Sequence, residues 1–187
     1  MKITLASKVT LLRIAMIPLF VWSYFALSTG ETVVVPALLF VIATSTDFID
    51  GYLARSRGEV TNFGKFIDPI ADKLLVMAAF VLLVGDGRLS AVSCVIFLGR
   101  EFIISGFRLI ASDRGVVIAA GQLGKIKTAT QSVAIVIALL DNYPFSLFTG
   151  IRFDQIAMFV ALVFTIWSGV DYIVRNWHVL REEREDA

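Results

Sequence analysis

The chain has 187 residues, of which 57% are hydrophobic and 18% are charged, and its formal net charge is +1. Its mean hydropathy is +0.80. Because soluble domains have about 25% charged residues, this composition excludes an ordinary soluble domain and predicts a membrane protein. The single cysteine, Cys94, excludes an internal disulfide, and the single histidine, His178, excludes a histidine-rich metal site.

Six apolar segments follow one another along the chain, each close to the ~20 residues that a helix needs to cross a bilayer. They are Val9–Leu27, Thr32–Leu53, Phe66–Val84, Leu89–Ala111, Gly121–Leu140 and Phe153–Val174. Short stretches of turn-forming residues separate them, and no linker is long enough to divide the chain into domains. We therefore predict an all-α, polytopic membrane protein in which residues 1–187 form one domain of six transmembrane helices.

The basic residues are distributed unequally between the two sides of this predicted bundle. With the N-terminus in the cytosol, only Arg88 and Arg152 fall on the outer side, and Arg100 lies inside a segment. The other 14 of the 17 Lys and Arg residues fall on the inner side: Lys2, Lys8, Arg13, Arg55, Arg57, Lys65, Lys73, Arg108, Arg114, Lys125, Lys127, Arg175, Arg181 and Arg184. Since cytoplasmic segments are enriched in basic residues, both termini are predicted to face the cytosol.

Four aspartates lie near the cytoplasmic ends of the second and third segments. Asp47 and Asp50 are three residues apart, and Asp68 and Asp72 are four apart, so each pair shares one helix face. Ionised acids in a membrane protein need partners, and Mg²⁺ prefers carboxylate oxygens while leaving positions for phosphate. Four acids can hold two ions, which suits in-line displacement at phosphorus. We predict a site for two Mg²⁺ or Mn²⁺ ions here.

Two other interpretations of the acids compete with a metal site. An acid at a helix end is commonly solvated at the interface, and we accept that reading for Asp86, Asp113, Asp141 and Asp154, which lie in or beside loops. A cation or organic-anion transporter would also place acids within the membrane. Transporters often contain repeated halves, whereas these acids occupy one cytoplasmic corner and no second half mirrors them. The transporter nevertheless remains the alternative from another functional class.

The stretch from Asp47 to Asp72, "DFIDGYLARSRGEVTNFGKFIDPIAD", fits the pattern D-x2-D-G-x2-A-R-x8-G-x3-D-x3-D without a departure. It resembles the signature of the CDP-alcohol phosphotransferase family, and the six segments agree with that family's six-helix membrane fold. The resemblance implies an enzyme that moves a phosphatidyl or related group from a CDP-linked donor to an alcohol and releases CMP. It also implies a divalent metal and a homodimer.

The resemblance further assigns roles within this motif. It implies that Asp72 is the general base and that CDP is bound by Asp50, Gly51, Ala54, Arg55 and Gly64. The three small residues would leave room for the nucleotide, although tight helix packing would explain them equally well. Arg55 can hold phosphate through two hydrogen bonds, or it can serve as a cytoplasmic anchor.

A second group of basic residues bears on the acceptor alcohol. Arg100 and Arg108 lie two turns apart in "GREFIISGFRLI" (Gly99–Ile110), and Lys125 and Lys127 lie in "AAGQLGKIKTA" (Ala119–Ala129). A basic cluster inside a membrane protein predicts an anionic ligand, so we expect these four residues to bind an acceptor phosphate, with Lys127 pointing away from Lys125 and contributing less. The alternatives are a structural pair of Arg100 with Glu101 and lysines that contact lipid headgroups.

Together with "VTLLRIAMIP" (Val9–Pro18), these two stretches resemble the bacterial branch of the family that uses CDP-diacylglycerol and glycerol 3-phosphate. The resemblance therefore implies synthesis of phosphatidylglycerophosphate at the cytoplasmic membrane of a bacterium, with the active site facing the cytosol. Thr10 and Arg13 match family positions, but the sequence does not assign them a role.

Overall fold

The computed structural model describes residues 5–27, 34–57, 62–116, 118–119 and 121–177; for residues 5–9, 47–57, 62–66, 68, 69 and 72 it describes the backbone alone. These ranges form six α-helices, one short 3₁₀ turn (Phe145–Leu147) and no strand. The helices are α1 (Leu5–Leu27), α2 (Val34–Arg57), α3 (Asn62–Gly85), α4 (Ala91–Asp113), α5 (Gln122–Leu139) and α6 (Phe153–Asn176). The predicted all-α class is confirmed.

Contacts at one end of the bundle show how the helices alternate in direction. Near the end of α1, the Tyr24 hydroxyl donates to Asp86 Oδ2 at 2.5 Å, in the turn between α3 and α4. In the same turn, Arg88 donates from Nη1 to the Ala138 carbonyl near the end of α5 at 3.0 Å. The ends of α1, α3 and α5 therefore meet here, and we call this the loop end. The opposite end, where α2 ends and α3 begins, is the acidic end.

The interior of the bundle combines small side chains with large apolar ones. Ala43, Ala79, Ala134 and Ala138 are fully buried, and small residues let helix backbones approach closely. Helix α1 packs against α2 and α3, while α6 packs against α4 and α5. Larger side chains fill the remaining space, as where the rings of Phe80 and Phe97 stack with centroids 4.5 Å apart.

The outer surface of the helices is apolar. Large hydrophobic side chains are exposed on every helix, among them Trp22, Leu38, Val81, Val95, Val133 and Phe159. Several polar side chains are buried instead, including Arg13, Lys127, Thr165 and Ser168. Apolar surface on this scale is rare on a soluble monomer. The distribution indicates that an apolar medium surrounds the bundle.

By length and composition, two of the described helices qualify as membrane spans: the Thr10–Leu27 part of α1 and the whole of α6. The predicted count of six spans is therefore not confirmed. Within the part of the chain whose side chains the structure describes, α2 and α3 contribute only the shorter apolar stretches Val34–Thr46 and Lys73–Gly85. In α4 and α5, charged residues interrupt the apolar sequence.

Candidate active site

The acid motif lies on two consecutive helices that are joined by a short connection. Asp47 and Asp50 lie on α2, Asp68 and Asp72 lie on α3, and residues 58–61 join the two helices. Both pairs therefore belong to the acidic end, as the sequence predicts. The side chains of the expected metal and CDP ligands lie outside the described residues: Asp47, Asp50, Gly51, Ala54, Arg55, Gly64, Asp68 and Asp72. Among the side chains that the structure does describe, no group of acids, histidine and cysteine is placed to hold a metal.

Helix α1 places a buried cation beside this motif. Arg13 is 1% exposed, and its Nε donates to Thr46 Oγ1 at 3.4 Å. Thr46 is the residue immediately before Asp47 in α2. A buried guanidinium at this position supplies positive charge where the sequence concentrates carboxylates. The structure thus gives Arg13, for which the sequence assigned no role, a location at the start of the acid motif.

Three charged side chains meet between α4 and α5, and we call them the ion cluster: Arg100, Glu101 and Lys127. Arg100 Nη1 lies 3.1 Å from Glu101 Oε1, and the Lys127 ammonium contacts the same oxygen. The Lys127 side chain is only 4% exposed and that of Arg100 is 14% exposed. Two cations share one carboxylate, so the cluster has a net charge of +1. The pairing of Arg100 with Glu101, considered as an alternative from the sequence, is therefore present.

The ion cluster is connected to both neighbouring helices. Arg100 Nη2 donates to Ser168 Oγ on α6 at 3.2 Å. On the other side, the Lys73 ammonium of α3 donates to Ser105 Oγ, which donates to the Glu101 carbonyl at 2.6 Å. Since Lys73 directly follows Asp72, these hydrogen bonds link the acid-bearing helix α3 to the backbone of α4 at Glu101. The backbone of the acid motif and the ion cluster are therefore joined through Lys73 and Ser105.

The other two predicted phosphate ligands are placed differently. Arg108 lies two turns beyond Arg100, where its Nε donates to Tyr172 Oη at 3.3 Å and its guanidinium lies 5.4 Å from that ring's centroid. Lys125 is exposed. The two lysines lie on different sides of α5, and their roles as phosphate ligands stay a prediction. The structure brings Lys127 to Glu101 inside the bundle and leaves Lys125 on its surface.

Two buried polar atoms near the ion cluster have no hydrogen-bond partner within the described part of the chain. They are Arg100 Nε and Gln131 Oε1. Gln131 lies one helical turn after Lys127, on the same face of α5. Buried polar atoms are almost always hydrogen-bonded in proteins, so a donor and an acceptor without partners indicate a place where a polar ligand or water completes the structure.

An apolar groove of about 260 Å³ opens between α2 and α5. It is lined by Phe40, Val41, Thr44, Ser45, Ser132, Val133, Val136 and Ile137. Along α2, the groove ends two residues before Asp47. An apolar chain lying in it would therefore have its polar end close to the acid motif.

Several residues that the structure adds to the site could not be selected from the sequence. Ser168 and Tyr172 accept hydrogen bonds from Arg100 and Arg108, and Lys73 is joined to the Glu101 backbone through Ser105, yet each is an ordinary residue of an apolar segment. Of these residues, only Lys73 could have been noticed in the sequence, because it directly follows the motif's last aspartate. Contacts between residues 64 and 68 positions apart, such as those of Ser168 and Tyr172, leave no pattern in a single sequence.

These features define an α-helical membrane protein with a charged interior, in which an acid-bearing helix pair adjoins a cluster of buried cations. A sequence model described as CDP-alcohol phosphatidyltransferase matches residues 3–167. The chain belongs to this family, which confirms the resemblance found in the sequence.

Curated relatives align with nearly the full length of the chain. A protein of Bacillus subtilis (strain 168) is 43% identical over 188 residues, which cover 95% of this chain and 97% of the relative. A protein of Rickettsia bellii (strain RML369-C) is 36% identical, with coverages of 90% and 92%. One of Pseudomonas fluorescens is 34% identical, with coverages of 94% and 91%. All three are named CDP-diacylglycerol–glycerol-3-phosphate 3-phosphatidyltransferase.

Proposed function

We propose that this protein transfers the phosphatidyl group of CDP-diacylglycerol to glycerol 3-phosphate, giving phosphatidylglycerophosphate and CMP. The names of the full-length relatives support this reaction. The structural observation on which the proposal rests is the ion cluster, whose Glu101 backbone is connected through Ser105 to Lys73, the residue after Asp72. A site that offers both acids for metal ions and cations for a phosphate suits two phosphorus-containing substrates.

In the proposed reaction, the acceptor hydroxyl attacks the phosphorus that bears diacylglycerol. Asp72 takes the proton from that hydroxyl, the new P–O bond forms, and the bond to CMP breaks, so CMP leaves with the electron pair. Asp50, Gly51, Ala54, Arg55 and Gly64 would surround the CDP portion, as the family motif implies. A general base in this position typically contributes about 10²–10⁴-fold to the rate.

The four aspartates, Asp47, Asp50, Asp68 and Asp72, would hold divalent metal, and we propose two Mg²⁺ or Mn²⁺ ions. The donor set fits, because carboxylates on two adjoining helices are hard oxygen ligands. When bound, such ions would neutralise charge on the pyrophosphate. Arg13, which is buried beside Thr46 at the start of the motif, is a cation that we propose moderates repulsion among the acids.

For the acceptor, we propose that Arg100, Arg108 and Lys127 surround the phosphate of glycerol 3-phosphate and that Lys125 lies at the mouth of the site. Phosphomonoesters have a second pKa near 6, so this phosphate has about two negative charges at neutral pH. The ion cluster has a spare positive charge, and Arg100 Nε is a buried donor without a partner in the described residues. A neutral alcohol would not require such a site.

For the donor lipid, we propose that one acyl chain of CDP-diacylglycerol occupies the groove between α2 and α5. The groove is lined mainly by apolar side chains, and its Thr44–Ser45 end approaches the acid motif. An acyl chain in it would gain about 0.8 kcal/mol for each buried methylene group. The nucleotide and the acyl chain of the donor would then lie on different sides of the metal ligands.

The arrangement in the membrane is also a proposal: six spans, a homodimer, a bacterial cytoplasmic membrane, and both termini in the cytosol. The apolar exterior of all six helices supports the six spans. Five helices have 23 or 24 residues and would be about 35 Å long, which exceeds the ~30 Å hydrocarbon core. The charged residues that reduce the hydropathy of α4 and α5 include the ion cluster, which lies inside the bundle and away from lipid.

Cysteine labelling tests this orientation. In a Cys94→Ala background, Ala91→Cys lies at the loop end and Ser112→Cys lies near the end of α4, and both positions are exposed. A membrane-impermeant maleimide added to intact cells is expected to label Ala91→Cys, whereas Ser112→Cys should react only after permeabilisation. The reverse pattern would place the acids outside the cell, away from cytosolic glycerol 3-phosphate, and would contradict the proposal.

The catalytic proposal is tested by measuring CMP release from CDP-diacylglycerol with purified protein. We expect release that depends on glycerol 3-phosphate and that yields phosphatidylglycerophosphate. Uptake of an ion or organic anion by proteoliposomes without CMP release would instead support the transporter. Equal turnover with serine or free inositol would retain the family chemistry but contradict the proposed acceptor.

Replacement of Gly169 tests the position of Arg100. A Cβ atom at Gly169 would lie 3.1 Å from Arg100 Cγ, so Gly169→Ala should displace this side chain by a few tenths of an ångström. A weakened hydrogen bond costs about 1 kcal/mol, so we expect about a fivefold rise in KM for glycerol 3-phosphate. Gly106→Ala in α4 is the matched control, because a Cβ there meets no atom within 4 Å. Equal effects of the two variants would show that Arg100 does not depend on this close approach.

A further inference from the structure

The loop between α5 and α6, residues 140–152, exposes a patch of large apolar side chains. Its members are Tyr143, Phe145, Leu147, Phe148 and Ile151, and Phe148 is 81% exposed. The turn between α3 and α4, at the same end of the bundle, is different, since its one large apolar residue, Leu89, is buried. Of the two loop-end connections that the structure describes, only the one between α5 and α6 exposes such a patch.

The loop is held in a fixed conformation. The buried Asn142 donates from Nδ2 to the Ile151 carbonyl at 2.9 Å, and its Oδ1 accepts from the Asp154 backbone N–H at 3.3 Å. The Phe145 ring packs on Phe153, the first residue of α6, with centroids 4.8 Å apart. These contacts close the two ends of the loop against each other, so the apolar side chains are directed outward by the loop's own structure.

The loop also satisfies much of its own backbone hydrogen bonding. Between Asp141 and Thr149, seven backbone N–H groups donate to carbonyl groups of the loop or of α5: those of Asp141, Asn142, Tyr143, Ser146, Leu147, Phe148 and Thr149. Pro144 has no N–H group to satisfy. Water makes such pairing unnecessary at an ordinary surface loop, whereas a poorly hydrated environment requires it.

The length of α5 places this loop at the edge of the bilayer. With 18 residues, α5 is about 27 Å long, slightly less than the ~30 Å hydrocarbon core. A chain that spans the membrane on α5 is therefore still at the hydrocarbon boundary when it enters the loop. The exposed apolar surface also continues from the loop onto α6 through Ile156 and Phe159. The same medium must contact the loop and the outer face of α6.

We infer that residues 143–151 insert into the boundary between lipid headgroups and acyl chains, with Phe148 and Leu147 among the acyl chains. Arg152 follows directly, and its half-exposed side chain, paired with Asp154 at 2.7 Å, gives the patch a polar edge. Aromatic side chains favour this layer of the membrane. The inference requires a membrane-spanning α5 and α6, but it is independent of the acceptor and of the chemistry proposed above.

Depth-dependent fluorescence quenching tests the inference on the full chain in phosphatidylcholine–phosphatidylglycerol vesicles. Phe148→Cys in a Cys94→Ala background is labelled with an environment-sensitive fluorophore, and Ser112→Cys at the acidic end is the control. We expect nitroxide lipids labelled near the headgroup to quench the Phe148→Cys probe about threefold more than the control, and aqueous iodide to quench it about threefold less. A Cys94→Ser background repeats the measurement if Cys94→Ala lowers the yield of folded protein.

The other outcomes each overturn the inference. Efficient quenching of the Phe148→Cys probe by iodide would place the loop in water. Protection from both iodide and nitroxide lipids would show that protein covers the patch, in which case disulfide cross-linking of Phe148→Cys between copies would identify a second chain as its partner. CMP release by the same variants separates this result from the proposed function. If the quenching data contradict insertion of the loop while CMP is still released, only the inference about the loop is wrong.

Discussion

Removal of divalent metal with EDTA is expected to abolish CMP release, and added Mg²⁺ or Mn²⁺ is expected to restore it. The four motif aspartates on α2 and α3 concentrate negative charge at one end of the bundle, and the substrate pyrophosphate adds more. Without cations, this site would repel the donor. Full activity of the chelated protein would contradict the two-ion proposal.

Substitution of single aspartates tests the proposed metal site one ligand at a time. Asp72→Asn should lower kcat by about 10²–10⁴-fold, since it removes both a metal ligand and the proposed base. Asp47→Asn, Asp50→Asn and Asp68→Asn should also lose most activity. Each should in addition bind less Mn²⁺ per chain, which electron paramagnetic resonance measures. Asp113→Asn is the matched control, because Asp113 is an exposed acid at the end of α4. If Asp113→Asn were equally damaging, the loss would reflect overall charge and not the motif.

Lys127→Met is expected to raise KM for glycerol 3-phosphate far more than KM for CDP-diacylglycerol. Lys127 is buried beside Glu101, and we propose that it contacts the acceptor phosphate. Losing a hydrogen bond to a charged group costs about 1.5–3 kcal/mol, which corresponds to about 10- to 150-fold in affinity. Lys125→Met, two residues away on the exposed side of α5, should have a clearly smaller effect.

A double variant separates phosphate binding from the stability of the ion cluster. Lys127→Met alone leaves Glu101 with one cation fewer, so some loss could arise from an imbalanced buried charge. Glu101→Gln combined with Lys127→Met removes one charge of each sign and retains Arg100. If Lys127 binds the acceptor, KM for glycerol 3-phosphate stays high in the double variant. Recovery of the original KM would show that Lys127 only neutralises Glu101.

Much of the site was predictable because its elements are local in sequence. The acid motif occupies 26 residues from Asp47 to Asp72, and its spacing alone places each carboxylate pair on one helix face. Arg100 was noticeable because a charge inside an apolar segment is energetically costly and requires an explanation. The burial of Arg13 beside Thr46 was not predictable, since that contact joins residues 33 positions apart.

The number of membrane spans shows where composition misleads. The sequence divides into six apolar segments, yet among the described residues only α1 and α6 are apolar enough by themselves to qualify as spans. In α4 and α5, the charged residues Arg100, Glu101 and Lys127 contact one another inside the bundle, where they lower the average hydropathy of their helices. An average over a helix does not distinguish the face toward lipid from the face toward the site.

The sequence by itself determined the all-α class, the family and the position of the acid motif on two consecutive helices, because apolar segment length and motif spacing are properties of consecutive residues. Only the tertiary structure decided which basic residues enter the interior. Lys125 and Lys127 point to different sides of α5, and the rotation of this helix, set by its packing against α2 and α6, turns Lys127 toward Glu101. The partners Ser168 and Tyr172 come from α6, more than 60 residues from Arg100 and Arg108. Such contacts depend on how whole helices pack, which no local pattern encodes.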